Sequence, residues 1–133
     1  MTQKNINTMD IIVSKMASGK TLSKAMKEVY IQRDVQIPYR EEWLNCKIKS
    51  LKMSMRTTSA LLRNKMETIN DVVAYTENHK ITDLPTFGRI SAMELFESIL
   101  DYCWKQMSQD EKDEFIADIV ERNRNNLRSD IEL

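Results

Sequence analysis

Two short segments constrain the fold more than any other part of this sequence, because each is typical of a turn that leads into the start of a helix. They are Met53–Thr57 and Leu84–Ser91. Ser54 can cap the helix that follows it, and Gly88 indicates a tight turn before the second helix. Each segment also has an arginine near the predicted helix start, Arg56 in the first and Arg89 in the second. Since the first N–H groups of a helix have no partner within it, such positions can face phosphate groups.

Apolar residues recur at helical spacing along most of the chain, which predicts an all-α fold, a compact bundle of short helices. Only two glycines and two prolines occur in 133 residues, so few positions interrupt a helix. Glu94 follows Ser91 by three residues, the spacing of a capping box in which the glutamate reaches back to the serine, and Ser108 with Glu111 repeats it. The predicted helices cover about Thr8–Ser18, Leu22–Arg33, Ser54–Arg63, Thr68–Thr76, Ser91–Gln106 and Gln109–Asn123.

The helical pattern predicts three consecutive segments. Residues 1–45 form an N-terminal helical hairpin and a connector, residues 46–107 a central helical domain, and residues 108–133 an acidic C-terminal helix and tail. Gly19 suits a left-handed helix end between the first two helices. Pro38 disfavours the third helix that a DNA-reading helix-turn-helix would need, so we favour a hairpin that packs or recruits a partner. In the connector, Trp43 is expected to anchor one helical turn to a neighbouring surface.

Charge is distributed unevenly, although the net charge of the protein is zero. Residues 1–107 contain sixteen Lys/Arg and twelve Asp/Glu, a balance of +4, and residues 108–133 return −4. Between Trp43 and Met66 there are six basic residues and no carboxylate. Such a basic stretch is either a solvated face or a surface that binds a polyanion such as nucleic acid.

Several classes of protein are disfavoured by composition. No apolar run approaches the about 18–20 residues that cross a bilayer, and the first residues lack the apolar core of a signal peptide. Cys46 and Cys103 are too few and too distant to indicate a disulfide framework or a zinc site. His79 is the only histidine, which excludes His-dependent triads and multi-histidine metal sites. We therefore expect a cytoplasmic protein with no membrane segment, catalytic residue, metal or cofactor.

Three motifs between Leu51 and Ile99 resemble one known family. They are Leu-x-x-Ser-x-Arg-Thr (Leu51 to Thr57), Thr-Ile-x-Asp (Thr68 to Asp71) and Leu-Pro-x-Phe-Gly-Arg-x-Ser (Leu84 to Ser91). With them, the stretch resembles the C-terminal domain of the bacterial RNA polymerase alpha subunit. The resemblance implies short helices with helix–hairpin–helix elements, and a non-enzymatic domain that binds the DNA minor groove and transcription factors. Since 133 residues leave no room for the subunit's large assembly domain, we expect a small stand-alone regulator.

The resemblance also implies a set of DNA-binding residues. Arg56 is expected to enter an A·T-rich minor groove, where the negative potential is strong. The residues implied to position the domain on DNA are Lys52, Ser59, Gly88, Arg89 and Ser91. Gly88 is expected to adopt backbone geometry that other residues resist, and to let a phosphate approach the helix start. The sequence departs from the family pattern, which usually has asparagine at Ser59, often lysine at Ile90 and commonly a basic residue near Asp83. The glycines of the family's first hairpin are replaced by Lys65 and Asn70.

Two further functions remain open. In the first, the protein is an interaction module that binds RNA polymerase or a transcription regulator without binding DNA, with Trp43, Tyr30 and the N-terminal hairpin supplying apolar contacts. Ile90 and Asp83 favour this alternative. In the second, the protein is a homo-oligomer in which the acidic C-terminal helix contacts the basic stretch of a neighbouring copy.

Overall fold

Six α-helices form most of the ordered structure. The computed structural model describes residues 3–31 and 35–128, and of residues 3–7 it describes the backbone alone. The helices are α1 (Gln3–Ala17), α2 (Leu22–Val29), α3 (Met55–Arg63), α4 (Ile69–Thr76), α5 (Arg89–Lys105) and α6 (Gln109–Arg122). Within the described ranges there are also three single 3₁₀ turns, at Glu41–Trp43, Ile48–Ser50 and Ile81–Asp83. Within those two ranges there is no β-strand, so the all-α prediction is confirmed.

The protein divides into two compact units. The central unit comprises Tyr39–Cys103, and the terminal unit combines the residues up to Pro38 with the residues from Trp104 onward. The helical pattern predicts the N-terminal hairpin and the C-terminal helix as separate segments, whereas in the structure both belong to the terminal unit. None of the helices in the described part of the protein is long and apolar enough to span a membrane.

In the terminal unit, α1 contacts both α2 and α6. The side chains at the centre of this unit are fully buried and belong to all three helices: Ile12, Ala25, Met26, Val29 and Ile119. Gly19, between α1 and α2, has a φ of 110°, which confirms the expected left-handed helix end.

Hydrogen bonds from Lys15 and Lys20 lower the pKa of Glu28 in α2 to about 2.

Helix α2 ends earlier than its apolar pattern predicts. The predicted end at Arg33 is wrong, because the helix stops at Val29 and Tyr30 is extended, while residues 32–34 lie outside the described residues. Tyr30 forms an antiparallel bridge with Leu127, and the N–H of Ile31 donates to the Asn126 carbonyl over 2.8 Å. The backbone leaves the helix because it pairs with a segment almost one hundred residues away.

Asn123 ties the two ends of the sequence together in the terminal unit. Its side chain is fully buried, and its Oδ1 accepts the Gln36 backbone N–H over 2.7 Å. Its Nδ2 donates to the carbonyl oxygens of Gln36 and Ile119, both over 2.8 Å. A buried amide is stable only where its polar atoms are paired, so this position suits asparagine.

The central unit is built around aromatic and aliphatic side chains from every part of its sequence. Buried members include Trp43, Ile48, Leu61, Ile69, Phe87, Leu95 and Leu100. Trp43 is only 2% exposed and lies in a 3₁₀ turn, which confirms its expected anchoring role. The segment after this turn pairs with the start of α4, since the N–H of Ile48 donates to the Glu67 carbonyl and that of Ile69 donates to the Cys46 carbonyl. Between α3 and α4 the backbone reverses at Lys65, whose φ is 62°.

Candidate nucleic-acid interface

The start of α3 is fixed by local capping. Ser54 is extended, and its hydroxyl accepts the backbone N–H of Thr57 over 3.3 Å, as predicted. Arg56 is exposed in the first turn, which contains no acidic residue. Thr57, Ala60 and Leu61 form the buried face of the helix. The outer face is therefore free to meet a ligand.

The start of α5 differs from the sequence prediction. The helix begins at Arg89, and the N–H of Ala92 donates to the Gly88 carbonyl over 3.0 Å, so Ser91 lies within the first turn. The expectation that Ser91 caps this helix and that Glu94 reaches back to it is wrong. The turn before α5 starts the helix three residues earlier than the capping-box spacing suggests.

Gly88 does not supply the unusual backbone geometry expected of it. The left-handed residue of this turn is Thr86, whose φ is 60°, and Gly88 is not among the residues of positive φ. A Cβ built on Gly88 would meet no atom within 4 Å. Space is therefore open in front of the α5 start, which is compatible with the expected approach of a phosphate.

Glu94 instead caps α3, forty residues away in sequence. Its Oε1 accepts the Ser54 hydroxyl over 2.9 Å, and its Oε2 accepts the Ser54 backbone N–H over 2.8 Å. The Thr57 hydroxyl donates to the Ser91 hydroxyl over 3.2 Å. We call these four residues, Ser54, Thr57, Ser91 and Glu94, the α3–α5 brace. The brace holds the two helix starts side by side.

The brace keeps Glu94 ionised. The Thr57 side chain, together with hydrogen bonds from the Ser54 backbone and side chain, holds the pKa of Glu94 below its ordinary value of 4.5. A carboxylate at a helix N-terminus is also favoured by the helix dipole. The N–H groups of Ser54 and Thr57 already donate hydrogen bonds within the protein. An anion at the start of α3 would therefore bind the Arg56 side chain and not these two amides.

The structure brings five of the six predicted residues to the braced helix starts. Arg56 and the half-buried Ser59 lie one turn apart on α3, and the others follow one another at the start of α5: Gly88, Arg89 and Ser91. The Ser91 hydroxyl is engaged in the brace, so it is a poorer donor to a phosphate than the sequence suggests.

Lys52 lies farther from this cluster. Its carbonyl accepts the Ser98 hydroxyl over 2.7 Å. Ser98 is nine residues into α5, roughly 13 Å along the helix from Arg89. The exposed side chain of Lys52 thus belongs to the edge of the candidate interface.

Three residues that the sequence analysis did not assign to the site share its surface. Arg63 is exposed one turn beyond Ser59 on the same side of α3, and the basic stretch was the signal that could have found it. Met55 and Ile90, beside the brace residues Ser54 and Ser91, are both strongly exposed. Spacing gave no sign that Met55 is exposed, because apolar residues at helical spacing are typical of a core. For Ile90 the signal was the lysine that the family often has at this position.

Asp83, which departs from the family pattern, is also partly accounted for by local structure. Its carboxylate accepts the Lys80 backbone N–H over 3.1 Å.

Among the described residues, no group of three or more His, Cys, Asp or Glu side chains could hold a metal ion. The exposed charged side chains at the braced helix starts are those of Arg56 and Arg89.

The fold defines a small helical domain with two arginine-bearing helix starts on one surface. Residues 36–101 match the family described as the C terminal domain of the bacterial RNA polymerase alpha chain, and in this part of its length the protein belongs to that family. The family is non-enzymatic, is related to transcription, and binds DNA and transcription factors. No curated protein and no solved structure matches the sequence.

Proposed function

We propose that this protein binds DNA as a transcription-associated factor, with Arg56 in an A·T-rich minor groove. The sugar–phosphate backbone is held by Arg89 and Ser59 and approaches the open space at Gly88. Ser91 lies beside these residues, and Lys52 lies at the edge of the interface. Neither a reaction nor a cofactor is part of this function.

One observation carries the proposal most strongly, namely the α3–α5 brace. It places Arg56 and Arg89 at adjacent helix starts, each exposed and each in a first turn without acidic residues. A narrow minor groove has a strongly negative potential, and an arginine side chain fits it without reading base edges in detail. A second cation beside it can meet a flanking phosphate.

The proposal is tested by fluorescence anisotropy with labelled A·T-rich and G·C-rich duplexes at low and moderate salt. We expect the wild type to prefer the A·T-rich duplex, and Arg56→Ala to weaken binding at least about tenfold, the lower end of the loss for a specific arginine contact. Arg124→Ala is the matched control, since it removes the same charge from an exposed ion pair with Glu121 in the terminal unit. Circular dichroism checks that both variants remain helical.

Equal losses in Arg56→Ala and Arg124→Ala would contradict the role of Arg56, since bulk charge alone would then explain binding. No binding by the wild type at low salt would contradict DNA binding itself.

The alternative, a module that binds RNA polymerase or a regulator without DNA, loses two of its expected contact residues. Trp43 and Tyr30 are 2% and 1% exposed, so neither offers apolar surface to a partner. The observation that favours this alternative is the exposure of Met55 and Ile90. Absence of DNA binding together with retention on immobilised RNA polymerase would support it.

A further inference from the structure

Two apolar side chains stand out from the surface at the braced helix starts. Met55, the first residue of α3, is 84% exposed, and Ile90, the second residue of α5, is 85% exposed. The other exposed large apolar side chains of the described residues, Val13, Ile31 and Met93, are all less than half exposed. Neither Met55 nor Ile90 therefore packs into the protein core.

Their position ties both residues to the candidate interface. Met55 follows Ser54 and Ile90 precedes Ser91, and both of those serines belong to the brace. Met55 also precedes Arg56, and Ile90 follows Arg89. Each apolar side chain therefore lies next to a cation, on one of two helix starts that are hydrogen-bonded together.

The surroundings fit a nucleic acid better than a protein partner. Protein docking sites centre on a contiguous apolar patch that becomes fully desolvated. Here the two apolar residues belong to different helices, and their immediate neighbours in sequence are arginines and hydrogen-bonded serines. A minor groove offers a negative potential to Arg56 and a flanking phosphate to Arg89. Its walls are the C–H surfaces of deoxyribose, which suit single apolar side chains.

We propose that Met55 and Ile90 contact the deoxyribose walls of the DNA minor groove alongside Arg56. These contacts contribute to the free energy of DNA binding independently of salt concentration, because burial of apolar surface releases no counterions. This inference rests on the proposed DNA binding and adds to it the residues that supply its non-ionic part.

The test compares the 133-residue wild type with Met55→Ala, Ile90→Ala and Ile90→Lys on one A·T-rich duplex over a series of salt concentrations. For each alanine variant we expect binding about tenfold weaker at every salt concentration, the loss expected for two or three partly buried carbon groups. The slope of log K against log salt stays as in the wild type. In Ile90→Lys the slope becomes steeper by about 0.9, the value for one added phosphate contact.

Val13→Ala is the matched control, since Val13 is an exposed apolar residue of the terminal unit, 45% exposed on α1. It should bind as the wild type does.

Two outcomes overturn the inference and can be told apart. If Arg56 is required but the alanine variants bind normally and Ile90→Lys keeps the wild-type slope, DNA does not reach the apolar pair, and the proposed function survives. If the wild type does not bind DNA at all, the inference and the proposed function fail together. Loss of polymerase retention in the alanine variants would then assign the pair to a protein partner.

Discussion

At the scale of single residues, a glycine often supplies both a positive φ and the space left by a missing side chain. In the turn before α5 these two properties belong to different residues. The unusual backbone conformation belongs to Thr86, with a φ of 60°, while Gly88 has no close neighbour where a side chain would stand. Nothing in the fold therefore requires glycine at position 88. Its value is the open approach to the start of α5.

Gly88→Ala should accordingly leave the protein folded and weaken DNA binding. We expect thermal stability equal to the wild type or higher by up to about 1 kcal/mol, because alanine restricts the unfolded state without straining the native one. Affinity falls because the new methyl group lies where a phosphate would approach. Calorimetry and anisotropy measure the two effects separately.

The other glycine of the protein provides the control for this prediction. Gly19 has a φ of 110°, so Gly19→Ala should destabilise the protein by about 1 kcal/mol or more. A loss of stability in Gly88→Ala with unchanged affinity would assign Gly88 to folding instead of binding.

At the scale of elements, sequence patterns predict those helix caps that are formed by residues close together in the sequence. The predicted caps at Ser54 and Ser108 are confirmed, because each serine hydroxyl accepts a backbone N–H only three residues ahead. The same spacing fails at Ser91 and Glu94, since the glutamate binds Ser54 in another helix. A pattern of neighbours contains no information about a partner forty residues away.

The α3–α5 brace predicts a specific pH dependence of stability. Because hydrogen bonds lower the pKa of Glu94 in the folded protein, its ionised form stabilises the fold above the unfolded pKa. That stabilisation is lost as the pH falls through the folded pKa. Glu94→Gln should therefore be less stable than the wild type at pH 7, and the difference should shrink under acid conditions.

Urea unfolding followed by circular dichroism at a series of pH values from neutral to acid measures this difference. Glu97→Gln, which removes a charge from the same helix outside the brace, is the control. A difference between Glu94→Gln and wild type that stays constant with pH would rule out ionised Glu94 as the source of the stabilisation.

At the scale of the whole molecule, the two ends of the sequence form one unit that residue order does not reveal. The bridge between Tyr30 and Leu127 and the clamp of Asn123 on Gln36 join segments far apart in sequence. Helix existence was predictable from apolar spacing, and the motifs indicated the central family. The pairing of ends depends on long-range backbone contacts that leave no periodic signal.

Asn123 should be among the most sensitive polar positions of the terminal unit. Asn123→Ala leaves the N–H and the carbonyl of Gln36 without this partner and removes a fully buried amide, which should cost about 1–3 kcal/mol, the loss for one buried polar group left unpaired. Asn125→Ala, two residues away and exposed, should be nearly neutral. Urea unfolding compares the two, and equal stabilities would show that the clamp contributes little.

The α3–α5 brace has a consequence for how DNA sequences would be told apart. Because it sets the spacing between the backbones that hold Arg56 and Arg89 before any ligand arrives, little ordering entropy is lost on binding. A duplex that meets both arginines has to adapt its own groove width to that spacing. Selection among sequences then depends on how easily each one deforms, and stiff or flexible base steps matter even where no side chain touches a base.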